Sequence, residues 1–237
     1  MKTISTEHIR PAELRAAEKE IIRIGAFLAS RQYHAALAGN ISFRIAEDCL
    51  VCTGHGADKG ALTAEDIVLV RQDGTKISGR RNPTSEFNMH RMAYRQRPDV
   101  QAVIHAHPPA ATAFAAASMP LDILQLPEMV VLLGKVALVP YATPGTEELA
   151  EKLKLYLGEH DGFLLENHGA LTVGGDLAEA ALRMELIEHN AQITLWVRQL
   201  GKPAFALAPA EMDSLMSIRK MMSQQKAKER AASRPDY

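Results

Sequence analysis

The sequence predicts an α/β sandwich whose sheet is at least partly antiparallel. Three features carry that expectation: apolar residues at helical spacing near both ends of the chain, three short β-like runs in succession after Gly39, and an irregular alternation of strands and helices after them. Residues 11–30 come first. Leu14, Ala17, Ile21, Ile24 and Leu28 recur on one helical face, and Pro11 suits a first helical turn, where a backbone N–H would have no partner. The runs NISFRI, CLVCTG and DIVLV follow, bounded by turn residues such as Asp73-Gly74, and predict an antiparallel meander. Pro83-Thr84-Ser85-Glu86 predicts a helix start, with Thr84 or Ser85 as cap and Glu86 in the first turn; that helix should run to about Gln96, before Pro98. The strand VQAVIHAH then meets Pro108-Pro109 and the helical stretch ATAFAAAS. KVALVPY reads as a strand, TEELAEKLKLYL as an amphipathic helix, and GFLLENHGALTVG as two strands meeting near residues 167–169. A long helix is expected from about Leu177 to Leu200. The tail from Glu211 is helical in pattern, and its last part, QQKAKERAASRPDY, is polar enough to fray or to dock on a partner subunit.

With 237 residues, 47% of them apolar, the chain has enough material for one full core, so a single domain over residues 1–237 is expected, its core at about 11–200 and a helical tail at about 210–237. Lys and Arg number 27 against 28 for Asp and Glu, so no overall field would gather nucleic acid or an anionic membrane. Any anion must be held locally. No apolar run approaches a membrane span and the first residues lack an apolar leader, which makes the cytoplasm the expected compartment. Cys49 and Cys52 share a C-x-x-C spacing, but residues three apart on a strand point to opposite faces and no second pair completes a zinc set. Two reduced thiols are expected.

Most of the nine histidines need no special account. His8, His34, His160 and His189 fall in polar or helical surroundings that predict solvated or hydrogen-bonded rings. His105-Ala106-His107 differs, because residues i and i+2 of a strand project to one face and both imidazoles can converge where the strand ends. His168 follows an apolar strand and precedes Gly169, which lets the chain turn tightly, and so offers a third donor. Three neutral imidazoles leave zinc an open position, as a catalytic site requires; cobalt or manganese is compatible with the same donors. Glu86 has two readings, a routine acid favoured by the helix dipole and a carboxylate working beside the metal. His90, one turn further on, reads as a hydrogen-bond partner inside the fold. For a phosphate, Gly39-Asn40, Thr53-Gly54 and Thr84-Ser85 are candidates, each by itself a plain turn or cap. Neither a dinucleotide fingerprint nor a Walker sequence is present.

Taken in order, Gly39-Asn40-Ile41-Ser42, Thr53-Gly54, Thr84-Ser85-Glu86, His105-Ala106-His107, Pro140-Tyr141-Ala142 with Gly145-Thr146 and Glu148-Leu149, and Asn167-His168-Gly169 closely resemble the class II aldolase/adducin family, collinearly over residues 11–200. The likeness is greatest to its fuculose-phosphate aldolase group. The resemblance implies a three-layer α/β/α sandwich around a mostly antiparallel sheet, assembled as a homotetramer with active sites between subunits. It implies zinc on His105, His107 and His168, Glu86 as acid/base, and Asn40, Thr53, Gly54, Thr84 and Ser85 around the phosphate of a small sugar substrate. The expected reaction is cleavage of a phosphorylated ketose to dihydroxyacetone phosphate and an aldehyde. Two departures stand out: the stretch 122–128 lacks the group's tyrosine and carries Glu128, and the tail offers only Tyr237. Glu128 and Tyr237 are therefore accessory candidates, and decarboxylation of a 3-keto acid phosphate, dehydration of methylthioribulose phosphate and 4-epimerisation of ribulose phosphate remain as alternatives. An adducin-like interaction module is a further one, which would have no need of the three histidines and Glu86 together.

Overall fold

The computed structural model describes residues 10–121, 126–201 and 207–233. Helix α1 (Pro11–Ser30) leads into the meander β1 (Asn40–Ala46), β2 (Cys49–Thr53), β3 (Ile67–Arg71) and β4 (Lys76–Ser78). Next come α2 (Phe87–Gln96), β5 (Ala102–Ala106), α3 (Pro109–Ala116) and a single π-helical turn at Met129–Leu133. Strand β6 (Val136–Val139), α4 (Glu147–Lys154), β7 (Gly162–Leu165), β8 (Gly169–Gly174), α5 (Leu177–Gln199) and α6 (Pro209–Ser233) complete the order. The eight strands form one sheet, β4-β3-β2-β1-β5-β8-β7-β6, antiparallel at every step except β6 with β7.

Period-two alternation along the strands feeds two separate cores. Ile41, Val51, Ile104 and Leu164 face one side, where they pack with Ile21, Ile24 and Leu28 of α1, Phe114 of α3 and Met184 and Ile187 of α5. Leu50, Val68, Val103 and Phe163 face the other, against Met89 and Met92 of α2 and Leu149 and Leu153 of α4. This is the three-layer α/β/α sandwich. Each fully buried Ile or Leu contributes about 2 kcal/mol by leaving water. Both cysteines are buried, free thiols on β2, with Cys52 on the α2 side, and burial pushes its thiol up to about 12.

Pairing register brings the site residues to one end of the sheet. Asn40 lies opposite His105, Ala106 opposite Ala170, and Leu165 opposite Gly169. Three expectations change. Glu86, and not Thr84 or Ser85, occupies the position just before the first turn of α2, with no side-chain hydrogen bond to the helix. The polar tail is helical through Ser233, consistent with the strong helix formers in QQKAKERAA. His34, expected to be solvated or hydrogen-bonded, is half-buried with both ring nitrogens out of water and without a hydrogen-bond partner, and burial takes its imidazole down to about 4. The three-residue β4 and the turn at Met129–Leu133 had no legible periodic pattern, being too short to show one. Tyr237 lies outside the described residues.

Candidate metal centre

His105 is completely buried on β5, on the α2 side of the sheet. Its Nδ1 is 2.8 Å from the carbonyl oxygen of Ala170 on β8. A carbonyl only accepts, so Nδ1 carries the proton and Nε2 presents a lone pair. His107, one residue beyond the end of β5, is held by its backbone N–H donating to the carbonyl of Tyr33 at 2.8 Å. Its Nε2 stands 3.0 Å from His105 Nε2.

His168 arrives from the short turn between β7 and β8. Asn167 adopts a left-handed conformation there (φ 53°), which Asn tolerates better than most residues. Gly169 permits the close approach, since a Cβ on it would fall 2.6 Å from His107 Cδ2. Ligand atoms of the three histidines all lie within 4.8 Å of one another. Glu86 meets them from the cap of α2, Oε2 at 3.2 Å from His105 Nε2 and Oε1 at 3.0 Å from His168 Nε2.

Burial opposes charge on Glu86, but the approach of His168 and the hydrogen bond from the amide of Asn40 favour the ionised form and keep the carboxyl well below the usual carboxylate range. Burial takes His105 down to about 3 and lowers His107, so both rings are neutral donors at neutral pH. The residues fit a divalent cation: nitrogen lone pairs converge, and Glu86 Oε1 is buried without a hydrogen bond despite its nearness to His168. Imidazole nitrogens suit zinc, and cobalt or manganese by the same donors.

Beside this cluster a cavity of about 270 Å³ is lined by Leu37 to Asn40, Gly54 to Gly56, Lys59 and Thr84 to Glu86. Asn40 donates from Nδ2 to Glu86 Oε2 at 2.8 Å, and its Oδ1 faces His90 Nε2. His90 is therefore a hydrogen-bond partner, its Nδ1 2.6 Å from Ser42 Oγ. Asn40, Gly54, Thr84 and Ser85 line the cavity, and Thr53 does not: its buried hydroxyl accepts from the N–H of Ile41 within the sheet. Sequence reasoning missed His55, Gly56 and Lys59, because a loop without period gives no sign of which side chains turn inward. Glu128 is exposed before the turn at Met129–Leu133 and is not part of this lining.

Comparison with known proteins places this geometry among relatives. Residues 19–195 match the profile of the Class II Aldolase and Adducin N-terminal domain. An L-fuculose phosphate aldolase of Methanococcus maripaludis is 35% identical over 76% of this chain and 97% of its own length. A 3-oxo-tetronate 4-phosphate decarboxylase of Pectobacterium atrosepticum is 34% identical over 75% of this chain and 83% of its own. Among solved structures, an L-fuculose 1-phosphate aldolase superposes with a TM-score of 0.82 at 28% identity, over 91% of this chain and 100% of that one. By the extent of the profile match and by these relatives, the chain belongs to the class II aldolase and adducin family.

Proposed function

We propose that this chain is a zinc-dependent aldolase that cleaves a phosphorylated ketose, such as L-fuculose 1-phosphate or a 5-deoxypentulose 1-phosphate, to dihydroxyacetone phosphate and an aldehyde. The observation that carries the reading is the contact of one carboxylate, Glu86, with both His105 and His168 at the edge of a cavity of glycine backbone and hydroxyl groups. His105, His107 and His168 are the metal ligands in this reading. A divalent cation bound there supplies Lewis acidity toward the carbonyl and adjacent hydroxyl oxygens of the ketose.

The protein's own groups do the rest. Backbone N–H groups near Gly54, the hydroxyls of Thr84 and Ser85 and the amide of Asn40 orient the phosphate and the carbon chain. Glu86, ionised and aimed by Asn40, takes a proton from the carbon beside the carbonyl in the condensation direction. In cleavage it is first protonated, the proton deriving from the hydroxyl that becomes the aldehyde, and then gives that proton to the carbon released when the carbon–carbon bond breaks. In cleavage the hydroxyl that becomes the aldehyde carbonyl gives up its proton, and the group that accepts it comes from a neighbouring subunit of a homotetramer, with Glu128 and Tyr237 as accessory candidates. We place the enzyme in the cytoplasm; no described helix is long and apolar enough to cross a membrane.

Decarboxylation of a 3-oxo acid phosphate is the second reading, favoured by the decarboxylase relative at nearly the same identity. It leaves the same electron-rich carbon next to a carbonyl and places the same demand on Glu86. A panel of ketose 1-phosphates, assayed for dihydroxyacetone phosphate, beside a 3-oxo acid phosphate assayed for carbon dioxide, decides between them. Release from the ketose is expected; carbon dioxide alone would replace the first reading by the second. Glu86→Gln should keep its metal and lose turnover by about 100-fold or more, the usual scale for a positioned proton-transfer group. Undiminished turnover would remove Glu86 from the mechanism.

A further inference from the structure

Lys59 is the one lysine or arginine that is buried among the described residues, 2% exposed. It follows Gly54-His55-Gly56 in the loop after β2, and its backbone is pressed onto α1, where a Cβ on Gly25 would come within 2.6 Å of the Lys59 carbonyl oxygen. The ammonium donates to two backbone carbonyls, that of Ala57 at 2.6 Å and that of Leu37. An ammonium has three donors, so one remains beyond those two carbonyls. Lysine ion pairs occur at Lys152, Lys154 and Lys226, but no carboxylate lies within ion-pair distance of Lys59 among the described residues. Asp58 and Glu86 favour the charge from beyond ion-pair distance, but Glu86 is turned to Asn40 and the histidines, and Asp58 accepts from the N–H of Gly60.

A buried cation without an ion-pair partner in contact is costly, and a ligand anion would offset that cost. Lys59 lines the same cavity as Asn40, Gly54, Thr84 and Ser85, whose amides and hydroxyls carry dipoles but no positive charge. We propose that Lys59 is the charged member of this cradle and makes an ion pair with the phosphate of the substrate, a contact none of the family-derived residues supplies. The assignment rests on the phosphorylated substrate proposed above. Burial already lowers the lysine below its ordinary range, and a dianion in the cavity would restore its preference for the charged form.

The competing account is that Lys59 only ties the loop at Leu37 to the loop at Ala57. Zinc-loaded wild type, Lys59→Met and Lys59→Arg are melted with and without inorganic phosphate, with potassium chloride matching the ionic strength. Phosphate should raise the melting temperature of the wild type and, in part, of Lys59→Arg, and leave Lys59→Met unmoved, with phosphate affinity reduced tenfold or more. Without phosphate, Lys59→Met should melt no lower than the wild type, since an unpaired buried charge has been removed. An equal phosphate response in Lys59→Met, or the same loss of stability in both buffers, would overturn the assignment in favour of the tie. If Lys59→Met does not fold, wild type labelled with nitrogen-15 lysine serves: the buried ammonium resonance should move on adding phosphate, and a stationary one overturns the proposal. A wild type with no phosphate response also ends it, while ketose cleavage stands if zinc and turnover persist.

Discussion

Glu86 and His90 lie one helical turn apart at the start of α2, and Asn40 joins them, its nitrogen donating to the carboxylate and its oxygen facing the imidazole. Because Nε2 of His90 faces an amide oxygen and Nδ1 faces a hydroxyl, the ring works as a neutral group with its proton on Nε2. Burial takes His90 down to about 4 against the pull of Glu86, whereas an unfolded chain holds its histidines near 6.5. Between those values the unfolded chain binds a proton that the folded chain refuses, so stability is complete above about pH 6.5 and is lost as pH falls toward 4. Urea denaturation at pH 7 and pH 5 should show this loss, and in His90→Gln the difference should shrink by about 1–2 kcal/mol. An unchanged difference would place the charge uptake elsewhere. The pairing of His105 with His107 was legible because it needs only strand periodicity. Lys59 was not, since nothing local distinguishes a lysine that folds inward from one that stays in water.

At the scale of elements, every helix and strand expected from periodicity forms, and the misses are short pieces or caps whose state depends on distant partners. The entry to α3 is one such case. Its first free N–H groups, at Ala110 and Ala111, donate to the carboxylate of Glu188 on α5, at 3.1 and 2.9 Å. Glu188 is 1% exposed, and the spacing of α5 had no way to announce that partner. Since α3 begins two residues after His107, this cap also fixes the chain leaving the cluster. Glu188→Ala should cost about 1–3 kcal/mol by stranding buried donors. It should also weaken zinc retention against a chelator; denaturation and a competition titration would check both, and full retention would confine the cap to stability.

Across the whole molecule, one end of the sheet holds the cluster and the opposite end is bound by charge. Asp161, just before β7, meets Arg97 at 3.1 Å, Arg183 at 3.0 Å and Arg219 of α6 at 2.8 Å. These contacts seat the C-terminal helix on the sandwich, and none could be read from sequence because the four residues are far apart along the chain. The family was legible from its ordered motifs; the placement of Thr53 outside the cavity and of Lys59 inside it required coordinates. Purified protein should carry close to stoichiometric zinc, and His107→Ala should lose it. A ligand at 1,000 times its dissociation constant stabilises by about 4 kcal/mol, so chelation should lower the melting temperature of the wild type and leave His107→Ala unmoved. Equal melting of treated and untreated wild type would refute the ligand set.

The proton that fixes the His105 ring is given to a carbonyl 65 positions further along the chain, on the strand that follows the turn bearing His168. A ribosome that has delivered the polypeptide only as far as α4 has produced two of the three donors and neither the third nor the acceptor that aims the first. In the proposed reading, capture of the ion is thereby deferred until synthesis has passed β8, and a fragment cut short at α4 offers only two of the three ligands.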